Sequence, residues 1–218
     1  MNNIEAKKYI RKWLDIMQET GVISESGGCL SCRIGNKMIF SSINSKSISR
    51  DPDSMTVVDL ADFKPGKASQ LPDSYNIHAA IYRAKSNVNA IIHSVQINTL
   101  TSSKAGHVIY PMLDDIAQLI GTSIYTVDID TSSAGKAGKK VLKALKWRSA
   151  VLLEGNGGLC LGNNFDDAHA VSQVLEKACK CEIETTFMGG GHRINPFLAF
   201  AMRCHYILSY SKEAEKNR

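Results

Sequence analysis

The stretch HAAIYRAKSNVNAIIH, residues 78–93, joins a helical pattern to an apolar strand that ends in a histidine. Apolar residues recur at helical spacing around its first half: Ile77, Ala80, Ile81 and Ala84. Residues 90–92 form an apolar run typical of a buried strand, and His93 directly follows them. A histidine at the end of such a strand is often a metal ligand, and a metal site needs several ligands. The sequence therefore raises the question of which residues accompany His93.

Segments on both sides of this stretch alternate irregularly between helix and strand. Upstream, CLSCRI and KMIF are extended runs joined by Gly35-Asn36, a pair typical of a two-residue hairpin turn. Downstream, AVLLE predicts a strand, GNGGLCLG a glycine-rich turn, and residues 166–187 a long amphipathic helix. The other predicted elements are helices at 3–20, near 96, at 111–121, 135–148 and 197–210, and strands at 55–60 and 124–129. Together they predict an α/β or α+β fold whose mixed or antiparallel sheet is covered by helices.

The composition is that of a globular protein with one sizeable core. The chain has 218 residues, of which 44% are hydrophobic, and no break in composition divides it, so we expect one domain over residues 1–218. The charged N-terminus lacks the apolar core of a secretory signal, and no apolar run approaches membrane-spanning length. We therefore expect a cytoplasmic protein that has no membrane partner.

Six scattered cysteines fit a reducing compartment better than a disulfide scaffold. Cys29 and Cys32 could form half of a zinc site, with Cys179 and Cys181 as the other half. The first pair lies in a predicted hairpin, whose alternate residues face opposite ways, and a helical spacing of two separates the side chains of the second pair. Both pairs are therefore interpreted as ordinary free thiols.

The net charge of +5 is concentrated in the segment GKAGKKVLKALKWR, residues 135–148. Its lysines follow helical spacing, and its apolar residues provide a face for packing. A solvated helix face explains this pattern without a nucleic-acid or polyphosphate surface. We therefore expect no nucleic-acid partner.

Five strings, in this order, resemble the class II aldolase/adducin family. They are SGGCLSCR, SSIN, HAAIYRAKSNVNAIIH, YPMLDDIAQLIG and AVLLEGNGGLCLG, and the similarity covers nearly the whole chain. The resemblance implies an α/β, three-layer fold in which helices flank a mixed or antiparallel central sheet. It also implies a fourfold ring of subunits and a zinc lyase acting on small sugar phosphates. In such an enzyme three histidines and a glutamate hold zinc, which polarises an enediolate oxygen.

Carried over residue by residue, the resemblance keeps only one of the zinc ligands. His93 matches the first histidine of His-x-His, whereas the second position is Val95. The histidine of the glycine-rich turn is replaced by Asn156, and the glutamate position falls on Ser74. Among carboxylates, Asp73 adjoins that position. The expected zinc set is therefore reduced to His93.

Two further groups of side chains remain as candidates. Cys29 stands at the position of a phosphate-binding asparagine, but Ser31, Ser41 and Ser42 could still bind an anion weakly. Asp115 lies near the position of a tyrosine that the family uses across a subunit boundary, which makes it a possible catalytic residue.

Two functional hypotheses follow. In the first, the chain is a pseudoenzyme of this family that binds no cofactor and serves as a binding or assembly subunit. It would form a homotetramer, or a heteromer with an intact paralogue, and could take a small anionic ligand. In the second, it is a zinc-dependent aldolase on a small sugar phosphate that uses rearranged ligands, His93 with Asp73, Asn156 or His192.

Overall fold

A seven-stranded mixed sheet forms the centre of the protein. The computed structural model describes residues 3–24, 27–41, 43–44, 47–48, 54–62, 73–129 and 134–210. The strands are β1 (Cys29–Ile34), β2 (Lys37–Phe40), β3 (Ile43–Asn44), β4 (Ser47–Ile48), β5 (Thr56–Asp59), β6 (Ala90–Ser94), β7 (Thr126–Val127), β8 (Ala150–Leu153) and β9 (Gly157–Gly162). The main sheet has the order β5-β2-β1-β6-β9-β8-β7, and β3 pairs with β4 in a separate two-stranded ribbon. All its pairings are antiparallel except β7 with β8.

Helices cover both faces of this sheet. They are α1 (Asn3–Glu19), α2 (Asp73–Ala84), α3 (Ile97–Ala105), α4 (Ala134–Leu145), α5 (Phe165–Phe187) and α6 (Pro196–His205), with π-helical turns at Ile116–Ile120 and Tyr206–Tyr210. One hydrophobic cluster joins α1 and α5 to one face of the sheet, and a second joins α2 and α4 to the other. Alternate strand residues point to opposite faces, so the apolar strands β6, β8 and β9 supply both clusters. The three-layer α/β architecture with a mixed central sheet is therefore confirmed.

The hairpin β1–β2 follows the predicted turn chemistry. Gly35 has a φ of 54°, in the left-handed region that a two-residue hairpin turn requires. Residues 31–34 then pair in register with residues 37–40. The hairpin places Cys29 beside His93 on the neighbouring strand β6, and this pairing builds the candidate site.

The glycine-rich segment after β8 differs from the prediction. Only residues 154–156 form a turn, and GGLCLG is the fully buried strand β9 in the middle of the sheet. Its glycines serve close packing, because a Cβ on Gly158 would lie 2.6 Å from a Leu175 methyl. A Cβ on Gly162 would lie 2.3 Å from the backbone nitrogen of Ala168. These glycines are needed because a helix packs closely against the strand, yet in the sequence they resemble the glycines of a turn.

Within the described residues, no helix combines the length and the apolar composition needed to span a membrane. Ser42 and the side chain of Asp73, both named above as candidates, lie outside the described part of the chain.

Candidate functional site

The site is built around the C-terminal end of β6, where three strands and one helix converge. His93 pairs in register with Cys29 of β1 on one side and with Leu159 of β9 on the other. Helix α2 crosses the same face and carries His78 and Tyr82, both of which are buried. These two residues are four positions apart, so they lie on one side of the helix. Strand register and helix periodicity together bring Cys29, His78, Tyr82 and His93 into one cluster.

Both ring nitrogens of His93 face groups of this chain. Nε2 lies 2.5 Å from the backbone carbonyl oxygen of Asn156, so this nitrogen carries a proton and donates it. Nδ1 lies 3.9 Å from the Sγ of Cys29. Burial lowers the pKa of His93, while the hydrogen bond to Asn156 acts weakly in the opposite direction. The ring is therefore neutral, and its Nε2 proton is donated to the Asn156 carbonyl.

Cys29 is the centre of the cluster and is fully buried. Its Sγ also lies 3.9 Å from Nε2 of His78. Burial raises the pKa of the Cys29 thiol to about 12, and a hydrogen bond with the Ser74 side chain lowers it only in part. A thiol with such a pKa remains protonated at neutral pH and is a poor nucleophile.

A chain of neutral hydrogen bonds continues from His78 into the core. Its Nδ1 lies 2.8 Å from the hydroxyl of Ser31, which lies 2.9 Å from the hydroxyl of Tyr82. Tyr82 donates its own proton to the Ser31 carbonyl at 2.8 Å. Burial, followed by the effect of His93, lowers the pKa of His78 well below its usual value. Burial also raises the pKa of Tyr82 well above its usual value. At neutral pH the network carries no net charge.

The other two positions of the histidine set are occupied by groups that serve local structure. Val95 packs over the Gly27 turn, where its Cγ1 would lie 3.3 Å from a Cβ built on that glycine. Its backbone N–H donates to the carbonyl of Val22 at 2.9 Å. The side-chain amide of Asn156 donates to the carbonyl of Glu154 at 3.0 Å, so it folds back on its own turn.

The residues present do not fit a zinc ion. Around His93 they offer an aliphatic side chain, an exposed amide engaged by its own turn, the buried Cys29 thiol, and the buried imidazole of His78, whose Nδ1 lies 2.8 Å from the Ser31 hydroxyl. Zinc in proteins is bound by thiolates, imidazoles and carboxylates. In the described ranges, no three residues among His, Cys, Asp and Glu are grouped so that they could hold a metal ion.

Two of the predicted anion-binding serines are described: Ser31 lies in β1 and Ser41 directly follows β2, and both face inward. Ser31 and Ser41 are both fully buried, and the Ser41 hydroxyl accepts a hydrogen bond from the N–H of Leu30 at 2.9 Å. Gly28, with a φ of 91°, allows the close approach of β6, because a Cβ there would lie 2.9 Å from the His93 carbonyl oxygen. Anion binding at these serines stays a prediction, and an anion would have to displace internal hydrogen bonds.

The remaining candidates lie apart from this cluster. Asp115 forms a salt bridge with Lys177 of α5, in which Oδ2 and Nζ are 2.5 Å apart. His192 lies exposed in the loop between α5 and α6, which contacts Met112 and Thr185 through Gly191. Ser74 is beside Cys29, as its hydrogen bond shows. The structure thus joins His93, Asn156 and Ser74 around Cys29 but places Asp115 and His192 elsewhere.

Sequence reasoning missed that Cys29 lies between His78 and His93 and that Tyr82 joins the network through Ser31, whereas a structural hydrogen bond was expected for His78 and is confirmed. The i, i+4 spacing of His78 and Tyr82 was a usable signal, since it predicts two polar side chains on one helix face. Their shared contact with Ser31 depended on the register of β1 and could not be seen in the sequence.

Comparison with known proteins places this chain in a family. The family profile described as "Class II Aldolase and Adducin N-terminal domain" matches residues 10–183. The chain is 25% identical over 178 residues to an L-fuculose phosphate aldolase of Methanocaldococcus jannaschii, a match that covers 81% of this chain and 94% of that protein.

A second curated relative shares only part of its length with this chain. It is a 4-hydroxy-3-prenylphenylpyruvate oxygenase/4-hydroxy-3-prenylbenzoate synthase of Streptomyces roseochromogenus subsp. oscitans, 26% identical over 122 residues. The match spans 56% of this chain but only 44% of that protein.

Among solved structures, an L-fuculose 1-phosphate aldolase superposes with a TM-score of 0.80. The superposition covers 93% of this chain and 96% of that one, at 18% sequence identity, and therefore shows the shared fold. With the family profile matching most of its length, this chain belongs to the class II aldolase and adducin N-terminal domain family.

Proposed function

We propose that this chain is a class II aldolase-fold protein that serves as a binding or assembly subunit and does not act as a sugar-phosphate aldolase. The observation that supports this proposal is the closed network around His93. The Nε2 proton of His93 is donated to Asn156 of the same chain, and its other nitrogen faces a protonated thiol. An adjacent valine and an exposed asparagine stand where imidazoles are expected from the family. The whole chain, residues 1–218, would act as one domain of this type.

The rearranged zinc lyase is the second candidate. The match to an L-fuculose phosphate aldolase over 94% of that protein's length favours it. It requires the His93 ring to break its hydrogen bond with the backbone carbonyl of Asn156. The metal would then take Asp73, Asn156 or His192 as a further ligand beside His93. Because His192 lies in the α5–α6 loop, this also requires that loop to move toward β6.

Metal content and cleavage activity separate the two candidates. A complete structural zinc site is worth roughly 10 to 16 kcal/mol, and a lone imidazole supplies one bond of such a set. We expect protein purified in the presence of zinc to contain far less than one zinc per chain by atomic emission. We also expect no retro-aldol cleavage of ketose 1-phosphates in a coupled dehydrogenase assay.

Restoring the family ligands provides the matched control. The combined variant Val95→His, Asn156→His, Ser74→Glu should bind zinc, whereas each single substitution should not, because one added ligand leaves the set incomplete. Thermal melts would show that each variant is folded. One zinc per chain in the unmodified protein, lost in His93→Ala, would refute the proposal and support the rearranged enzyme.

We propose further that the protein assembles as a homotetramer, or as a heteromer with an intact paralogue, and works in the cytoplasm. Large apolar side chains are exposed around the end of α5 and along α6, including Phe187 at 88%, Met188 at 84% and Phe197 at 86% exposure. Several large exposed apolar side chains on neighbouring elements are typical of a subunit interface. All six cysteines are free, which fits a reducing compartment. Multi-angle light scattering should give a tetramer mass, and a monomer at micromolar concentration would contradict the assembly proposal.

A further inference from the structure

A cavity lies at the opposite end of β6 from His93. Its volume is about 510 Å³, and its wall includes Val88, which precedes β6, and Gly162, the last residue of β9. The turn between α4 and β8 forms another side, and α6 with the π-helical turn after it closes the cavity. The cavity shares no lining residue with the His93 cluster, so whatever it binds would not touch that cluster.

The lining of this cavity carries an excess of positive charge. Lys85, Lys146, Arg148 and Arg203 line it, and Asp167 is the carboxylate among the lining residues. Within the described residues, no salt bridge involves Lys85 or Arg203. Positive charges gathered in a concave site with low-dielectric walls focus their field on a bound anion.

Arg203 is the most deeply placed of these cations, with 7% of its surface exposed. Its guanidinium donates to the carbonyls of Gln118, Leu119 and Trp147 and to the hydroxyl of Ser149, all of which are neutral acceptors. Burial lowers the pKa of Arg203 to about 10, so the side chain is still protonated at neutral pH. The hydrogen bonds fix its position, and no carboxylate among the described residues forms a salt bridge with it.

Lys85 lines the same cavity and is close enough to Arg203 to be affected by its charge. Burial, and then the charge of Arg203, lower the pKa of Lys85. Its Nζ donates to the carbonyl of Lys146 at 2.5 Å, which leaves further N–H donors of the ammonium for a ligand. An anion beside Lys85 would therefore gain a hydrogen bond and would screen the repulsion between the two cations.

Lys146 stands in a backbone conformation that favours glycine. Its φ is 33°, and it is the non-glycine residue with a positive φ among those described. The position directly follows the end of α4, where glycine is the common residue because it has no Cβ to clash. A lysine here keeps a long cationic side chain at the cavity at the expense of backbone strain.

We propose that this cavity binds a small phosphate monoester. Its phosphate dianion would lie among Lys85 and Lys146 within the field of Arg203. Its apolar part would contact the aromatic and aliphatic lining residues, Trp147, Tyr206, Leu119 and Val171. Trp147 is 70% exposed at the cavity and supplies apolar surface that such a ligand would cover. This site is independent of the proposed loss of zinc chemistry.

Isothermal titration of the full-length protein with phenyl phosphate tests the proposal, and inorganic phosphate at equal ionic strength serves as a second arm. We expect saturable binding of phenyl phosphate that is weakened at least about tenfold in Lys85→Met, because one charge and one donor are lost. Lys139→Met, an exposed lysine of α4 outside this lining, should bind as the unmodified protein does. Melting curves of both variants would show that they are folded.

Lys146→Gly gives a second test in which binding and stability change in opposite directions. Relief of the positive φ should raise the melting temperature without ligand, while phenyl phosphate binding weakens. No saturable binding by the unmodified protein, or equal weakening in Lys85→Met and Lys139→Met, would overturn the site. Equal affinity for inorganic phosphate and phenyl phosphate would overturn the assignment of an organic ester.

Discussion

The two ends of β6 place polar residues in the core in opposite ways. At the His93 end, burial raises the pKa values of Cys29 and Tyr82 and lowers that of His78, which keeps all three groups neutral. The Ser31 hydroxyl links His78 to Tyr82. At the other end, Arg203 stays charged because carbonyls and a hydroxyl surround its guanidinium. In the first arrangement, the neutral polar groups satisfy one another's donors and acceptors. In the second, the arginine donors are satisfied by neutral acceptors, so its positive charge can still attract a ligand.

The proposed absence of a zinc site would be compatible with an intact fold. The side chains of Val95 and Asn156 pack on Gly27 or bond to their own turn, so the strands keep their register without a metal ligand at either position. The His93 imidazole contacts the Asn156 carbonyl and the Cys29 thiol, which are both neutral. A buried cation cannot be neutralised in this way, because an arginine side chain does not lose its proton in proteins.

The largest expected effect is at the charged end. Arg203→Met removes five donated hydrogen bonds and leaves the carbonyls of Gln118 and Leu119 without this donor. We expect the free energy of unfolding in urea to fall by roughly 3 to 5 kcal/mol. Arg193→Met is the matched control, since Arg193 is exposed and its guanidinium lies 4.5 Å from the Tyr110 ring centroid. It should cost less than about 1 kcal/mol. Similar losses in both variants would show that the carbonyl clamp is not stabilising.

An effect of intermediate size is expected at the neutral end, as a dependence on pH. The pKa of His78 is well below its usual value in the folded protein, because burial is the largest influence and the nearby His93 adds to it. Cys29, Tyr82 and the ring of Phe40 also surround the imidazole. Below about pH 6.5 the unfolded chain therefore binds a proton that the folded protein does not.

The sign of the effect follows from this proton. The contribution of His78 to stability is complete above about pH 6.5 and is lost as the pH falls toward its folded pKa, by up to about 1.4 kcal/mol per pH unit. Urea unfolding at pH 7.5, 6.5 and 5.5 should show the decline, and His78→Gln should make it shallower by about one proton. An unchanged slope in His78→Gln would mean that His78 is protonated in the folded state.

The fold was more predictable than either site, for physical reasons. The hairpin turn at Gly35 and the apolar periodicity of α2 are local properties, so the sequence displays them. Strand β9 was mistaken for a turn because Gly158 and Gly162 are required by a helix that crosses them, a contact made only in the folded protein. Ser31 faces His78 across 47 positions, and Arg203 faces Gln118 across 85. No periodicity in a single sequence encodes such pairs.

The smallest expected effect concerns the pair Asp115–Lys177, which belongs to neither region and gives the baseline for an ordinary ion pair. Its atoms are 2.5 Å apart, and the side chains are 33% and 55% exposed. Water screens an exposed pair of this kind, so a double-mutant cycle with Asp115→Asn and Lys177→Met should give a coupling of about 0.2 to 1 kcal/mol. The coupling should shrink as salt rises from 0.05 to 1 M, because the Debye length falls to about 3 Å.

The cycle should be measured at protein concentrations where light scattering defines the assembly. A coupling above about 2 kcal/mol that does not respond to salt would mean that a neighbouring subunit covers the pair, and it would revive Asp115 as a residue acting across a subunit boundary.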